Sequence, residues 1–282
     1  MRTTDFETIL AQSIQLIGMD RNNLSEETFE QIRDFANYRL KYAYEYDVWP
    51  ELTRITKFPV TNAGNMHYIV LPENGVVTNT EGTFKTDVGT IFQVTVEDPR
   101  SKGKVREVGF SFDEYETEVS TGVFNTVKRL IVDIEGQSEL YITYRLNCPE
   151  LIGNMWKNQT YYPQQSVYWA YATDKYFAPT SGPSYAGKKG NFWKCVSNAT
   201  TSPNIGNNNS PVANDKWEKV KIPAFLSQYI IKAVHSDWLR SELQVELAQV
   251  VEKEAQGLLD FEIQKCIVQQ GIQPRMKFNK IY

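Results

Sequence analysis

The apolar residues of this chain change their spacing twice along its length. At both ends, in residues 5–47 and 223–270, they recur every three or four positions, which is typical of amphipathic helices. Ser25, followed by two glutamates, marks the start of the second helix, and Pro50 ends it. Pro223 is a favourable helix-opening residue. The pattern predicts an α+β fold in which N- and C-terminal helices form one bundle around a large antiparallel β insertion.

The middle of the chain carries short runs of β-branched and aromatic residues, separated by Asn, Gly, Asp and Pro. Such runs indicate antiparallel strands. We predict that short extended stretches begin with Ile55, Phe58 and Val60, and that strands lie at residues 76–77, 91–96, 106–112, 129–134 and 140–144. The chain is therefore divided into a helical core of residues 1–53 and 223–271, a β insertion domain of residues 54–150, a small aromatic β module of residues 160–222 and a C-terminal tail of residues 272–282.

Composition limits the classes of protein to which this chain can belong. Of 282 residues, 41% are hydrophobic and 23% are charged, which is ordinary for a folded protein and argues against disorder. A net charge of -4 argues against tight binding of nucleic acid. The N-terminus lacks an apolar signal core, and no run of about 18 apolar residues occurs, so we expect neither classical secretion nor a membrane span.

Residues suited to catalysis or metal binding are few. The two histidines, His67 and His235, and the three cysteines show no metal-ligand spacing, and we find no P-loop, GxSxG, HExxH or GxGxxG motif. We interpret His235 as a packed, hydrogen-bonded side chain. Asp113, Glu114, Glu116 and Glu118 form an acidic run that is interpreted as a solvated face. The expectation is a protein without enzymatic activity, catalytic residues, metal or cofactor.

The aromatic module contains three tryptophans, Trp169, Trp193 and Trp217, that allow two interpretations. The module is similar to small aromatic modules of chitin- and cellulose-binding proteins, in which exposed rings stack on sugars. On that interpretation these three residues are candidates for glycan stacking, and the alternative function is a carbohydrate-binding virion or surface protein. The other interpretation makes them the core of a small fold that has little else to bury, and we favour it.

Three segments taken together resemble the head-to-tail adaptor proteins of tailed phages. The first is the end of the N-terminal helix pair, residues 44–52 (YEYDVWPEL). The second comprises residues 88–94 (VGTIFQV), 97–100 (EDPR) and 106–111 (REVGFS). The third begins at residues 236–242 (SDWLRSE) and continues through Gln244, Ala248, Glu252, Ala255 and Glu262 to residues 269–271 (QQG). Their order along the chain, from about residue 5 to residue 271, carries the resemblance.

This resemblance implies a virion structural protein at the head–tail interface that is assembled in the host cytoplasm. Its partners would be identical copies in a ring, most often a dodecamer, together with the portal protein and the next tail or stopper component. DNA would pass through the lumen without sequence-specific binding, and no membrane would be involved. The β insertion is longer than in simple adaptors, so it is left open whether it faces solvent, a neighbouring subunit or a fibre.

The C-terminal tail is expected to dock on the portal or on a neighbouring subunit, because it is too short and too poor in apolar residues to fold alone. Its candidate docking residues are Arg275, Lys277, Phe278, Lys280, Ile281 and Tyr282. Deleting residues 272–282 is expected to weaken ring or portal assembly more than it destabilises the monomer.

Overall fold

A computed structural model shows four helices and several antiparallel sheets in the part of the chain that it describes, and the predicted α+β class is confirmed. Two compact units are present: residues 1–47 with 149–270 form one, which we call the helical unit, and residues 48–148 form the other, the β unit. The described residues are 2–71, 75–80, 82–120, 123–157, 159–162, 165–170, 190–196, 210–211 and 216–270.

The helices of the described residues are α1 (Phe6–Ile17), α2 (Glu26–Tyr46), α3 (Ser227–Ser241) and α4 (Val245–Gln270), with 3₁₀ turns at Arg21–Asn23 and Ala224–Leu226. The strands are β1 (Thr3–Thr4), β2 (Thr53–Pro59), β3 (Thr61–Ala63), β4 (Met66–Leu71), β5 (Gly75–Asn79), β6 (Gly82–Thr86), β7 (Val88–Thr95), β8 (Phe110–Ser120), β9 (Val123–Val132), β10 (Glu139–Leu146), β11 (Asn154–Met155), β12 (Ser166–Trp169), β13 (Asn191–Cys195), β14 (Trp217–Lys219) and β15 (Ile222–Pro223).

Local sequence explains where the helices begin and end. The Ser25 hydroxyl accepts a hydrogen bond from the Thr28 amide at 3.1 Å, which is the N-cap that the sequence predicts for α2. Gly18 ends α1 at φ 79°, a left-handed conformation that glycine adopts without a Cβ clash. Pro223 pairs with Thr3 in a short two-stranded sheet and also directly precedes the 3₁₀ turn Ala224–Leu226, which continues into α3 at Ser227.

Helix α3 is the centre of the helical unit, since it packs against α1, α2 and α4. Its turns are apolar on several sides and bury Ile230, Ala233, Val234 and Leu239, among others. The chain that returns from the β unit is fixed to α2 at Leu151, whose amide and carbonyl are both hydrogen bonded by the Asn37 side chain, at 2.7 and 2.9 Å. Helices from both ends of the chain therefore belong to one compact unit.

The strands of the aromatic segment belong to the same unit as the helices. They form a four-stranded sheet in the order β11-β12-β13-β14, with β11 parallel to β12 and the other pairs antiparallel. Tyr168 and Phe192 lie opposite each other in this sheet and pack on Phe6 of α1 and Phe29 of α2, with ring centroids 4.7–6.4 Å apart. This aromatic contact joins the sheet to the helices.

The β unit contains a three-stranded sheet in the order β2-β10-β7, a four-stranded sheet in the order β3-β4-β9-β8 and the hairpin β5–β6. One core unites apolar residues of both larger sheets, as in a sandwich. Its fully buried members include Phe58, Ile69, Leu130, Leu140 and Ile142.

The strand predicted at residues 106–112 is divided between the two sheets. The Val108 amide donates to the Val94 carbonyl of β7 at 2.9 Å, whereas the Gly109 carbonyl accepts from Asp133, just beyond β9, at 3.1 Å. Strand β8 itself begins only at Phe110. The apolar pattern therefore locates the extended chain but not the point where it changes sheet.

Candidate assembly site

Arg39 of α2 is a buried cation and lies at the centre of the helical unit. Its residue is 5% exposed, and its guanidinium donates two hydrogen bonds of 2.6 Å to Asp237 of α3 and two of 2.7 Å to Glu252 of α4. Arg240 lies 3.4 Å from Asp237 and 3.5 Å from Glu252, so two cations face two carboxylates. We call these four residues the ion network.

The burial of these charges determines how they ionise. Burial acts to lower the pKa of Arg39, but the hydrogen bonds that Arg39 donates to Asp237 and Glu252 outweigh it and leave the pKa above its ordinary value. Burial acts to raise the pKa of Glu252, whereas the bond to Arg39 and its charge lower the pKa below the ordinary range. Burial also raises the pKa of the neighbouring Tyr229 hydroxyl to about 12. Arg39 and Glu252 are therefore both charged at neutral pH.

The ion network connects three helices that come from distant parts of the chain. Arg39 and Glu252 are 213 positions apart. A buried arginine requires carboxylates in good geometry, because an unpaired charge in the interior is costly. The network thus fixes the rotation of α2 relative to α3 and α4 within the unit.

Helix α4 has two apolar sides. Ala248, Val251, Ala255 and Leu259 are buried, and Ala248 and Val251 pack with Leu239 of α3. A second line of residues, three or four positions apart, is exposed: Leu247 at 50%, Val250 at 55% and Phe261 at 54%, together with Glu254 and Gly257. We call these five residues the α4 stripe. Large apolar side chains that are exposed in a row are typical of an association surface.

Arg39 is not among the candidate residues predicted above, although its position in the sequence carries a signal. The buried positions of α2 are Ile32, Ala36, Leu40 and Ala43, and Arg39 follows Ala36 by three positions on the same side. An arginine on the apolar side of a helix is unusual unless it is paired. That position would have identified Arg39, but not the carboxylates that bind it.

The three candidate glycan-stacking residues lie on neighbouring strands and are buried. Trp169, Trp193 and Trp217 are 1%, 7% and 6% exposed, and they share a cluster with Trp156, Tyr161, Val167 and Cys195. Trp169 packs edge to face with Trp156 at 5.2 Å and Trp217 with Tyr161 at 5.1 Å. None of the three presents an exposed ring face to a sugar. Their surroundings are those of a small apolar core, which is the interpretation that we favoured.

The other residues that the sequence analysis singled out are also placed. His67 has a partner that the sequence did not indicate: its Nδ1 lies 2.6 Å from Asn62 Oδ1 across the β3–β4 pair. Within the described residues, His235 Nδ1 is buried without a hydrogen bond, and burial lowers the pKa of His235. Asp113 pairs with Arg129 on strands β8 and β9. The tail residues Arg275, Lys277, Phe278, Lys280, Ile281 and Tyr282 lie outside the described residues.

Comparisons with known proteins give no family for this chain. No protein-family model matches it, and no curated protein matches it. None of the helices in the described part of the chain has the length and apolarity needed to cross a membrane. What the protein does is therefore inferred from its own residues.

Proposed function

We propose that this chain is a structural subunit of a tailed-phage virion, an adaptor that forms a ring at the head–tail interface. In this role the ring docks on the portal protein and extends the DNA channel toward the next tail or stopper component. The observation that carries the proposal is the single helical unit formed by both ends of the chain, with the β unit inserted between Asp47 and Pro149. This is the chain organisation that the resemblance to head-to-tail adaptors implies.

The ion network supports a mechanical role. A ring subunit transmits load between neighbours, so its helices must keep a fixed rotation relative to one another. Two bidentate contacts from one buried guanidinium provide such a restraint, because each contact fixes both distance and orientation. Among the described residues, no group of three or more His, Cys, Asp or Glu side chains has the arrangement of a metal site.

The surface of the helical unit supports self-association. In a closed ring each subunit presents two different surfaces that complement each other. Exposed aromatic and aliphatic side chains occur on α2, at Tyr38 and Tyr42, as well as on α4. Tyrosines in particular supply rigid contact area at little cost in side-chain entropy.

Electron microscopy of the full-length protein, alone and mixed with the portal protein of its virion, tests this proposal. The expected result is a closed ring of this chain on one end of the portal. A variant that lacks residues 272–282 should keep the thermal midpoint of the full-length protein and bind the portal more weakly. A truncated protein that assembles on the portal as well as the full chain contradicts the proposed role of the tail, and absence of the chain from purified virions contradicts the proposal as a whole.

The carbohydrate-binding alternative needs a different assay. Because Trp169, Trp193 and Trp217 are buried, alanine at these positions is expected to unfold the segment whether or not it binds glycan. The direct measurement is retention of the folded, full-length protein on chitin and on cellulose. Specific retention that free oligosaccharide competes away would favour the alternative.

A further inference from the structure

Gly257 lies in the middle of the 26-residue helix α4 and is exposed. A glycine inside a helix costs roughly 1 kcal/mol relative to alanine, so it requires a reason. The described residues of the chain provide none, since a Cβ at position 257 would meet no atom within 4 Å. Glycine at an exposed position of an apolar row is what close approach of another helix requires.

The spacing of the α4 stripe shows which kind of helix would fit. Leu247, Val250, Glu254, Gly257 and Phe261 follow one another at intervals of three and four residues, which is the seam of a coiled coil. The bulkiest member, Phe261, stands one turn from the smallest, Gly257. The pair Gly257 and Phe261 is therefore complementary to the same pair of a reversed helix.

We propose that α4 pairs antiparallel with α4 of a second copy of this chain. With the two-fold axis at the level of residue 259, Phe261 of each copy packs over Gly257 of the other, where the missing side chain leaves room. Glu254 of each copy then comes within reach of Lys265 of the other. Four complementary contacts, two of each kind, arise from one register.

The charges available on this surface agree with that register. Glu254 and Lys265 have side chains that are 54% and 46% exposed, and within the chain they bind Lys232 and Glu262, respectively. Lys265 also lies over the Phe261 ring, with its Nζ 4.4 Å from the centroid. It therefore stands beside the aromatic ring that enters the proposed contact.

An isologous contact of this type closes at two copies, unlike the heterologous contacts of a ring. The pair is therefore a form of the free protein and does not depend on the proposed function. One pair of helices over about 30 Å buries less than a standard interface, so we expect dissociation in the micromolar range.

Sedimentation equilibrium of the full-length protein, from about 1 to 200 µM, tests the pairing. The expected result is a monomer–dimer equilibrium. Gly257→Gln should raise the thermal midpoint, because glutamine is the better helix former, and yet weaken the dimer on the order of tenfold by filling the space for Phe261. Gln249→Ala, at an exposed position outside the stripe, is the matched control and should leave dimerisation unchanged.

A charge exchange tests the direction of the helices. Glu254→Lys and Lys265→Glu should each weaken the dimer, since each places like charges together twice. The double variant should restore it. The two positions are eleven residues, or about 16 Å, apart on one helix, so rescue within a single chain is excluded. A monomer at all concentrations, a ring in place of the dimer, a dimer insensitive to Gly257→Gln or a double variant without rescue overturns the proposal.

Discussion

Replacing Arg39 with methionine should destabilise the helical unit by about 3 kcal/mol. Removing one partner of a buried ion pair typically costs about 3–5 kcal/mol, because the remaining charge stays buried without compensation. The side chain of Arg39 is 6% exposed, that of Asp237 12% and that of Glu252 26%. Arg240 stays near both carboxylates and is half exposed, and Glu252 is partly exposed. Both facts reduce the cost of the uncompensated charges, so we expect a loss of stability at the lower end of that range.

Urea denaturation followed by far-ultraviolet circular dichroism measures this loss. Arg33→Met is the matched control, since Arg33 lies on the same helix and pairs with Asp34 and Glu30 near the surface. Pairs of that kind are worth about 0–1 kcal/mol. Converting Asp237 to Asn and Glu252 to Gln in the Arg39→Met background should recover stability, because the uncompensated charges are then gone. If Arg39→Met costs no more than Arg33→Met, the ion network does not hold the helices together.

The same network predicts how stability depends on pH. The folded pKa of Glu252 lies below the ordinary value of 4.5. Its contribution to stability is therefore fully present above that pH and is lost as the pH falls through the lower folded pKa. In Arg39→Met, burial, which raises the pKa of Glu252, is opposed only by the Ser236 hydrogen bond and the charge of Arg240, so the acid-induced loss due to Glu252 should become smaller. An unchanged acid transition in this variant would show that Glu252 is not the group responsible.

Three further predictions concern single positions. Leu243, between α3 and α4, is 86% exposed and has φ 62°, a conformation that costs an L side chain free energy. Leu243→Gly should therefore stabilise the protein by about 0.5–1 kcal/mol in urea denaturation. Equal or lower stability would contradict a strained linker. A hydrogen bond from Lys57 is the main reason that the pKa of Glu139 is lowered to about 2. Lys57→Met should move the pKa of Glu139 toward its ordinary value, as measured by carbon-detected nuclear magnetic resonance. An unchanged pKa of Glu139 would assign the shift to Thr80 instead. Phe192→Ala removes a fully buried ring between the aromatic sheet and the helices and should lower the free energy of unfolding by about 3–5 kcal/mol. A decrease below about 1 kcal/mol would mean that the sheet does not depend on this contact.

The α+β class and most elements could be predicted because each depends on local spacing. Helix α2 follows from its apolar period and from the Ser25 cap, and β10 (Glu139–Leu146) follows from its run of aromatic and β-branched residues. These signals lie within a few residues of one another, so the elements can be predicted without knowing which distant residues pair.

The remaining features depend on partners that are distant in sequence or on exceptions to local preference. Asp237 is 198 positions from Arg39, so nothing near either residue indicates that they meet. Leu243 adopts a left-handed conformation at the end of α3 without the glycine that normally marks it. Pro223 precedes the helical turn that its signal indicates, but its pairing with Thr3, 220 positions away, could not be predicted. The candidate assembly site combines residues of α2, α3 and α4, which are distant in sequence, and for that reason the sequence pattern alone did not locate it.

The position of Arg39 and Glu252 near opposite ends of the chain also constrains the order of events during synthesis. Residues 48–148 form a compact unit with its own core and are complete long before α4 leaves the ribosome. Helices α1 and α2 must wait for α3 and α4, with their apolar sides uncovered in the meantime. The nascent chain therefore passes through a stage in which residues 48–148 are native while α1 and α2 still lack their partner helices.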